Sequence, residues 1–310
     1  MLALLDDIAT VLDDVAVLTK IAAKKTAGVL GDDLALNAEQ VSGVRAEREL
    51  PVVWAVAKGS AVNKVILVPV ALGLGAFLPM LITPLLMLGG AYLCFEGFEK
   101  IAEKWLHPKL AEKEAEAVLA AFRDESIDLA TFEHEKIKGA IRTDFVLSAE
   151  IIVISMGAVQ AASFAIQASV VASIAVMMTI GVYGFVALIV KLDDIGMYMV
   201  ENSSESQRLK RKFGTLLADS TPYLMKTLAI VGTVAMFLVG GGILAHGIPG
   251  LEPFIYQAVE VVGSLSVVGT LLASIAPFMA NFIVGLVSGG LLVLIVTSLQ
   301  KLVPGKSAPH

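Results

Sequence analysis

Residues 151–190 form a run of forty positions without one charged side chain, lying between Glu150 and Lys191. A helix of about 20 apolar residues already spans a hydrocarbon layer of roughly 30 Å, so forty predict an out-and-back pair of membrane spans. The composition agrees, with 56% hydrophobic and 17% charged residues and a mean hydropathy of +0.80. A soluble chain of this length would need a larger polar coat.

Several function classes fall away at this point. The net charge of -6 is small and mixed, which gives no footprint for nucleic acid. One cysteine, Cys94, allows no intrachain disulfide, and His107, His134, His246 and His310 are too dispersed to give a zinc-ligand spacing. The segment from Met1 to Asp7 has no basic patch before an apolar core, so it does not read as a secretory signal. No nucleophile stands with a partnered base, and the glycine groups at Gly73, Gly75 and 240–242 lack a phosphate-loop context. An enzyme is therefore not expected, and neither is a cofactor; a metal ligand set is left undefined.

Four apolar blocks order the chain: 65–95, 151–190, 227–251, and 254–300 with Glu260 as its sole charge. Pro79 and Pro84 bracket a break in the first, since proline removes a backbone donor and strains the preceding turn. The two resulting segments, 61–78 and 82–98, are short enough to be re-entrant. The second block is expected to turn near Gln167–Ser169 and the last to divide at Pro277. The expected fold is an all-α polytopic membrane protein of about seven transmembrane or re-entrant helices in two related halves. An acidic amphipathic helix precedes each half, and a small cytoplasmic helical hairpin is inserted. The corresponding divisions are 1–98, 99–144 (the hairpin, rich in Ala, Glu and Lys), 145–190 and 191–310.

Lys and Arg cluster before residue 65, at Lys136, Lys138 and Arg142, and at Arg208, Lys210, Arg211, Lys212 and Lys226. By the positive-inside rule these connections are cytoplasmic, and so is the N-terminus.

The candidate functional residues come from an internal repeat. Leu192-Asp193-Asp194-Ile195 reproduces Leu5-Asp6-Asp7-Ile8 at an offset of 187, and the same gapless register pairs Lys24 with Arg211, Lys25 with Lys212 and Asp32 with Asp219. Duplication is common among transporters, whose substrates and ions bind at the repeat interface. On that reading Asp6, Asp7, Asp32, Asp193, Asp194 and Asp219 converge on a polar cavity as oxygen ligands or proton carriers, with the four basic residues as partners. The plainer reading is that these acids cap helices or pair with basic neighbours in their own segment. Glu260 is either an intramembrane proton site or an end residue that snorkels to the interface. Gln160, Gln167 and Asn281 suit interhelical hydrogen bonds, and Gly285–Gly289 suits close helix packing.

Six stretches carry a resemblance: 4–10, 24–33, 41–43, 49–60, 135–145 and 231–243. They resemble the YedI-like family of bacterial inner-membrane proteins over nearly the whole chain, residues 108–130 apart. The resemblance implies a bacterial cytoplasmic-membrane location. It supplies no reaction and no catalytic residues.

Two functions follow as expectations. One is a small-solute or ion transporter or channel using the repeated Asp-bearing segments. The other is a non-transporting scaffold that binds a protein or lipid through the 99–144 hairpin. The implied partners are the lipid bilayer, a small ion or solute, and a second copy of the chain in a homo-oligomer.

Overall fold

The computed structural model describes residues 2–27, 29–41, 46–106, 129–203, 207–255, 257 and 267–302, and among them every regular element is helical. In chain order these are α1 (Leu2–Thr26), α2 (Leu30–Val41), α3 (Ala46–Phe77), a short 3-10 helix (Pro79–Leu81), α4 (Ile82–Leu106), α5 (Leu129–Ala158), α6 (Phe164–Val190), α7 (Leu192–Glu201), α8 (Arg208–Gly247) and α9 (Val267–Leu302). The fold is thus the expected all-helical polytopic one.

Among the described residues five stretches are long and apolar enough to cross a membrane: Arg48–Phe77, Pro79–Ala102, Phe164–Val190, Lys226–Gly247 and Ile275–Leu299. About seven transmembrane or re-entrant helices are expected, and among the described residues two of the expected spans take another form. Helix α5 carries Glu133, Glu135, Asp144 and Glu150 along its length, so it lacks a span's hydropathy. Helix α9 runs straight through Pro277 instead of dividing there, because proline costs a membrane helix one backbone bond that neighbouring groups can make good. The expected break at Pro79 and Pro84 is present as the 3-10 helix between α3 and α4.

The chain forms two compact units that interleave in sequence. The first comprises residues 1–82 and 130–232, the second 83–129 and 233–310. In the first unit, α6 is the centre. Its buried stripe, Val171, Ile174, Ala175, Met178, Val182 and Val186, recurs at the three- and four-residue spacing of one helix face. Val15, Leu18 and Ala22 of α1, Ala38 and Val41 of α2, and Val52, Val53 and Val56 of α3 pack into the same core. Helix α1 therefore docks Val15, Leu18 and Ala22 on protein, while Val11, Leu12, Val17 and Ile21 stay exposed. The opposite face of α6 is also apolar, yet Val176, Met177 and Ile180 are exposed there. A helix with core on one side and unpaired large hydrophobics on the other has hydrocarbon as its second solvent.

The two arms of the expected 99–144 hairpin are continuations of α4 and α5, and its centre, 107–128, lies outside the described residues. The proposed repeat has unlike copies: residues 2–26 are one helix, whereas the matching segment is split between α7 and the start of α8. Likewise Asp32 lies on the separate helix α2, while Asp219 lies within the uninterrupted α8.

In the second unit, α4, the part of α8 after residue 232, and α9 meet through glycines. Gly240 abuts Gly90, Gly285 abuts the Phe237 backbone, and Gly289 abuts the Cys94 backbone. Phe237 and Phe282 pack edge to face at 5.6 Å beside them.

Candidate functional site

Four helices of the first unit turn polar side chains toward one point in its interior. Ser60, Asn63 and Lys64 share a face of α3 at the i, i+3, i+4 spacing. Asp144 and Ser148 stand one turn apart on α5, Tyr183 comes from α6 and Asn37 from α2. All seven are buried. Helix α3 approaches α5 closely because Gly59 faces Ile141, where any Cβ would collide with that side chain.

Asp144 is the hub. Its Oδ1 accepts hydrogen bonds from Ser60 Oγ at 2.8 Å and Tyr183 Oη at 2.8 Å, and it faces Lys64 Nζ at 3.6 Å. Its Oδ2 accepts from Asn63 Nδ2 at 3.1 Å and Ser148 Oγ at 3.2 Å. Lys64 Nζ also donates to Ser60 Oγ at 2.6 Å, and Asn63 Nδ2 gives its other hydrogen to the Ile141 carbonyl at 2.8 Å. A charge pair survives out of water only with such a complement of hydrogen bonds.

Tyr183 adds a conflict of acceptors. Its hydroxyl oxygen lies 2.8 Å from Asn37 Oδ1 as well as 2.8 Å from Asp144 Oδ1. The Asn37 amide cannot turn over without loss, because its Nδ2 donates to the Asp33 carbonyl at 2.8 Å. A phenol has a single proton, so only one of the two acceptors can receive it at a time.

The α3 and α6 side chains of the site lie inside the candidate spans Arg48–Phe77 and Phe164–Val190, whereas Asp144 and Ser148 come from α5. Tyr183 is seven residues before the end of α6 at Val190, which is about 10 Å along a helix. Near that end the charges are of the ordinary interfacial kind. Arg48 holds the buried Glu133 with two nitrogens, Nη2 at 2.8 Å, while the Arg48 side chain is itself 55% exposed.

Of the acids proposed from the repeat, Asp193, Asp194 and Asp219 are described in full. Asp193 and Asp194 occupy the first turn of α7. Asp194 pairs with Lys191 and holds that ammonium above its ordinary range, while Asp193 Oδ1 accepts the Asp194 amide at 2.9 Å. Both acids therefore make contacts local to a helix start, where acids are favoured. Lys24, Lys25, Arg211, Lys212 and Asp219 are exposed. Asp6, Asp7 and Asp32 lie on α1 and α2 with their side chains outside the described set, and Glu260 lies outside the described residues. Among the described residues no group of three or more His, Cys, Asp or Glu side chains could hold a metal ion.

Sequence reasoning passed over the buried cluster. The sequence alone puts Lys64 among the basic residues ahead of the first span and Asp144 at the end of the 99–144 hairpin. The available signal was the polar face 60–63–64 on an apolar helix, opposed by 144–148 at matching helical spacing.

The sequence profile of the family described as "Protein of unknown function (DUF808)" matches residues 1–295. The chain belongs to that family. The DUF808 profile thus spans every element of the buried cluster and assigns a role to none of it. No curated protein and no solved structure matches the chain.

Proposed function

We propose that this DUF808 protein is an integral protein of the bacterial inner membrane, N-terminus cytoplasmic, that moves a proton or another small cation across it, with Asp144 as the binding site. The YedI-like resemblance and the distribution of Lys and Arg support the address. The observation that carries the activity is the Lys64–Asp144 pair buried inside the bundle. Ionisable residues in such positions are expensive and are typically kept for a task.

The Tyr183 hydroxyl suggests how a proton is handled. With Asp144 ionised, the phenol donates to Asp144 and leaves two oxygens, Tyr183 Oη and Asn37 Oδ1, facing each other without a hydrogen. A proton arriving on Asp144 Oδ1 reverses the chain: Asp144 donates to Tyr183, and Tyr183 rotates to donate to Asn37. One rotation of one hydroxyl accommodates the added proton. Lys64 on α3 keeps its bond to Ser60, and Asp33 on α2, buried one turn before Asn37, supplies nearby negative charge.

The test is flux into proteoliposomes carrying an internal pH dye and, in parallel, internal cation reporters, under an imposed diffusion potential. Asp144→Asn is expected to abolish the protein-dependent signal. Tyr183→Phe is expected to slow proton flux while costing about 1.5–3 kcal/mol of stability, the worth of a hydrogen bond to a charged group. Asp193→Asn/Asp194→Asn, run beside them, measures the repeated acids separately. Wild-type flux in Asp144→Asn, or wild-type vesicles no leakier than empty ones, would end this reading.

A further inference from the structure

The surface of the first unit is concave between α3 and α6, which run antiparallel there. Two cavities of about 520 and 570 Å³ adjoin along this seam and share Ala61, Thr179 and Ile180 in their walls. The lining is almost wholly apolar. Small side chains at Ala57, Ala61, Ala172 and Ala175 form the depression, and the Thr179 hydroxyl is already spent on the Ala175 carbonyl at 2.9 Å.

Two lysines stand in its walls: Lys64, buried in its pair with Asp144, and Lys58, toward the α3 N-terminal side. Lys58 is exposed, with Nζ 6.0 Å from the ring centre of Trp54, itself 66% exposed. Among the described residues no carboxylate pairs with Lys58. From Lys58 to Pro69, the far end of the lining on α3, is eleven residues, about 16 Å along a helix. That is about half the roughly 30 Å hydrocarbon layer, the depth of one leaflet.

We propose that this groove is a specific lipid site: one acyl chain of an anionic phospholipid lies along α3 and α6, and its phosphate sits on Lys58 beside the Trp54 ring. A groove inside a span is open to acyl chains. The unpaired ammonium selects a negative headgroup, and an indole at the groove end is the side chain that tolerates both chain and headgroup. Lys64 and Tyr183 line the groove as well as the polar cluster. A seated chain therefore keeps water off the flank of the Lys64–Asp144 pair. The lipid site does not depend on the transport reading.

The test uses the full-length protein in nanodiscs of equal phosphatidylethanolamine and phosphatidylglycerol, released into detergent for native mass spectrometry. The expected result is one phosphatidylglycerol retained per chain. Lys58→Glu should lower that retention by at least about fivefold, since each lysine near a lipid surface is worth about 1 kcal/mol. Ala61→Trp, which fills the seam where the two cavities join, should remove it. Thermal midpoints of all three proteins in lipid-free detergent identify any variant that has merely misfolded, and Ile180→Trp replaces Ala61→Trp in that case. Equal retention of both lipids, or wild-type retention in Lys58→Glu, overturns the proposal. So does a lipid-free dimer that Ala61→Trp breaks, because the occupant would then be a second copy of the chain.

Discussion

Replacing Lys64 with methionine is expected to destabilise the detergent-solubilised protein by about 3–5 kcal/mol, the usual cost of leaving half of a buried ion pair behind. Methionine matches the lysine stem in length and flexibility, so packing changes little and the loss is electrostatic. Asp144 would keep donors from Ser60, Asn63, Ser148 and Tyr183, and these set the lower end of the range. Asp144→Asn should cost a similar amount for the opposite reason. It strands the Lys64 ammonium and turns an amide N–H toward Asn63 and Ser148, which are themselves donors. The double variant Lys64→Met/Asp144→Asn removes both charges of the pair together. It should recover part of the loss, with a coupling of about 0.5–3 kcal/mol in a double-mutant cycle on apparent unfolding. Strictly additive single effects would mean that the 3.6 Å approach of the two groups contributes nothing to folding.

The broad architecture was legible in the sequence because membrane helices are set by a coarse quantity, the length of uncharged chain. The same coarseness misplaced the details. The turn inside 151–190 was expected at Gln167–Ser169 on the ground that a polar cluster marks a turn. It lies at 159–163, and Gln167 sits inside α6 with its Nε2 donating back to the carbonyls of Gln160 at 3.2 Å and Ala162 at 2.9 Å. The polar residue does serve the turn, from one helical turn away. For the site, the repeat drew attention to acids that recur in sequence, whereas a buried cluster is defined by convergence. Tyr183 meets Asn37 across 146 residues, and neither residue is unusual on its own helix. Lys64 and Asp144 were read as solvated flanks because a lone charge is costly in a membrane. Only their pairing, a property of two helices at once, makes burial tolerable.

The second large effect concerns the other unit, where Gly285→Leu is expected to abolish folding and Gly285→Ala to cost about 1–3 kcal/mol, as overpacking does. An added Cβ at Gly285 would lie 2.9 Å from the Phe237 carbonyl carbon and closer still to its oxygen. Backbone cannot rotate aside as a flexible side chain can, so α9 must move away from α8. That motion would pull Phe282 from its edge contact with Phe237 and loosen the seating of Gly289 on Cys94 one turn later. Gly181 on α6 is the matched control, with nothing within 4 Å of an added Cβ. Gly181→Ala should be neutral or stabilising by up to about 1 kcal/mol, the helix-propensity difference. Fluorescence-detected size-exclusion profiles and thermal midpoints read both. A Gly285→Leu protein as monodisperse and heat-stable as Gly181→Ala would show that backbone contact between α8 and α9 does not hold the second unit together. If instead Gly285→Leu fails while the flux and the Lys64–Asp144 coupling of Gly285→Ala persist, the first unit keeps its polar site independently of how tightly the second is packed.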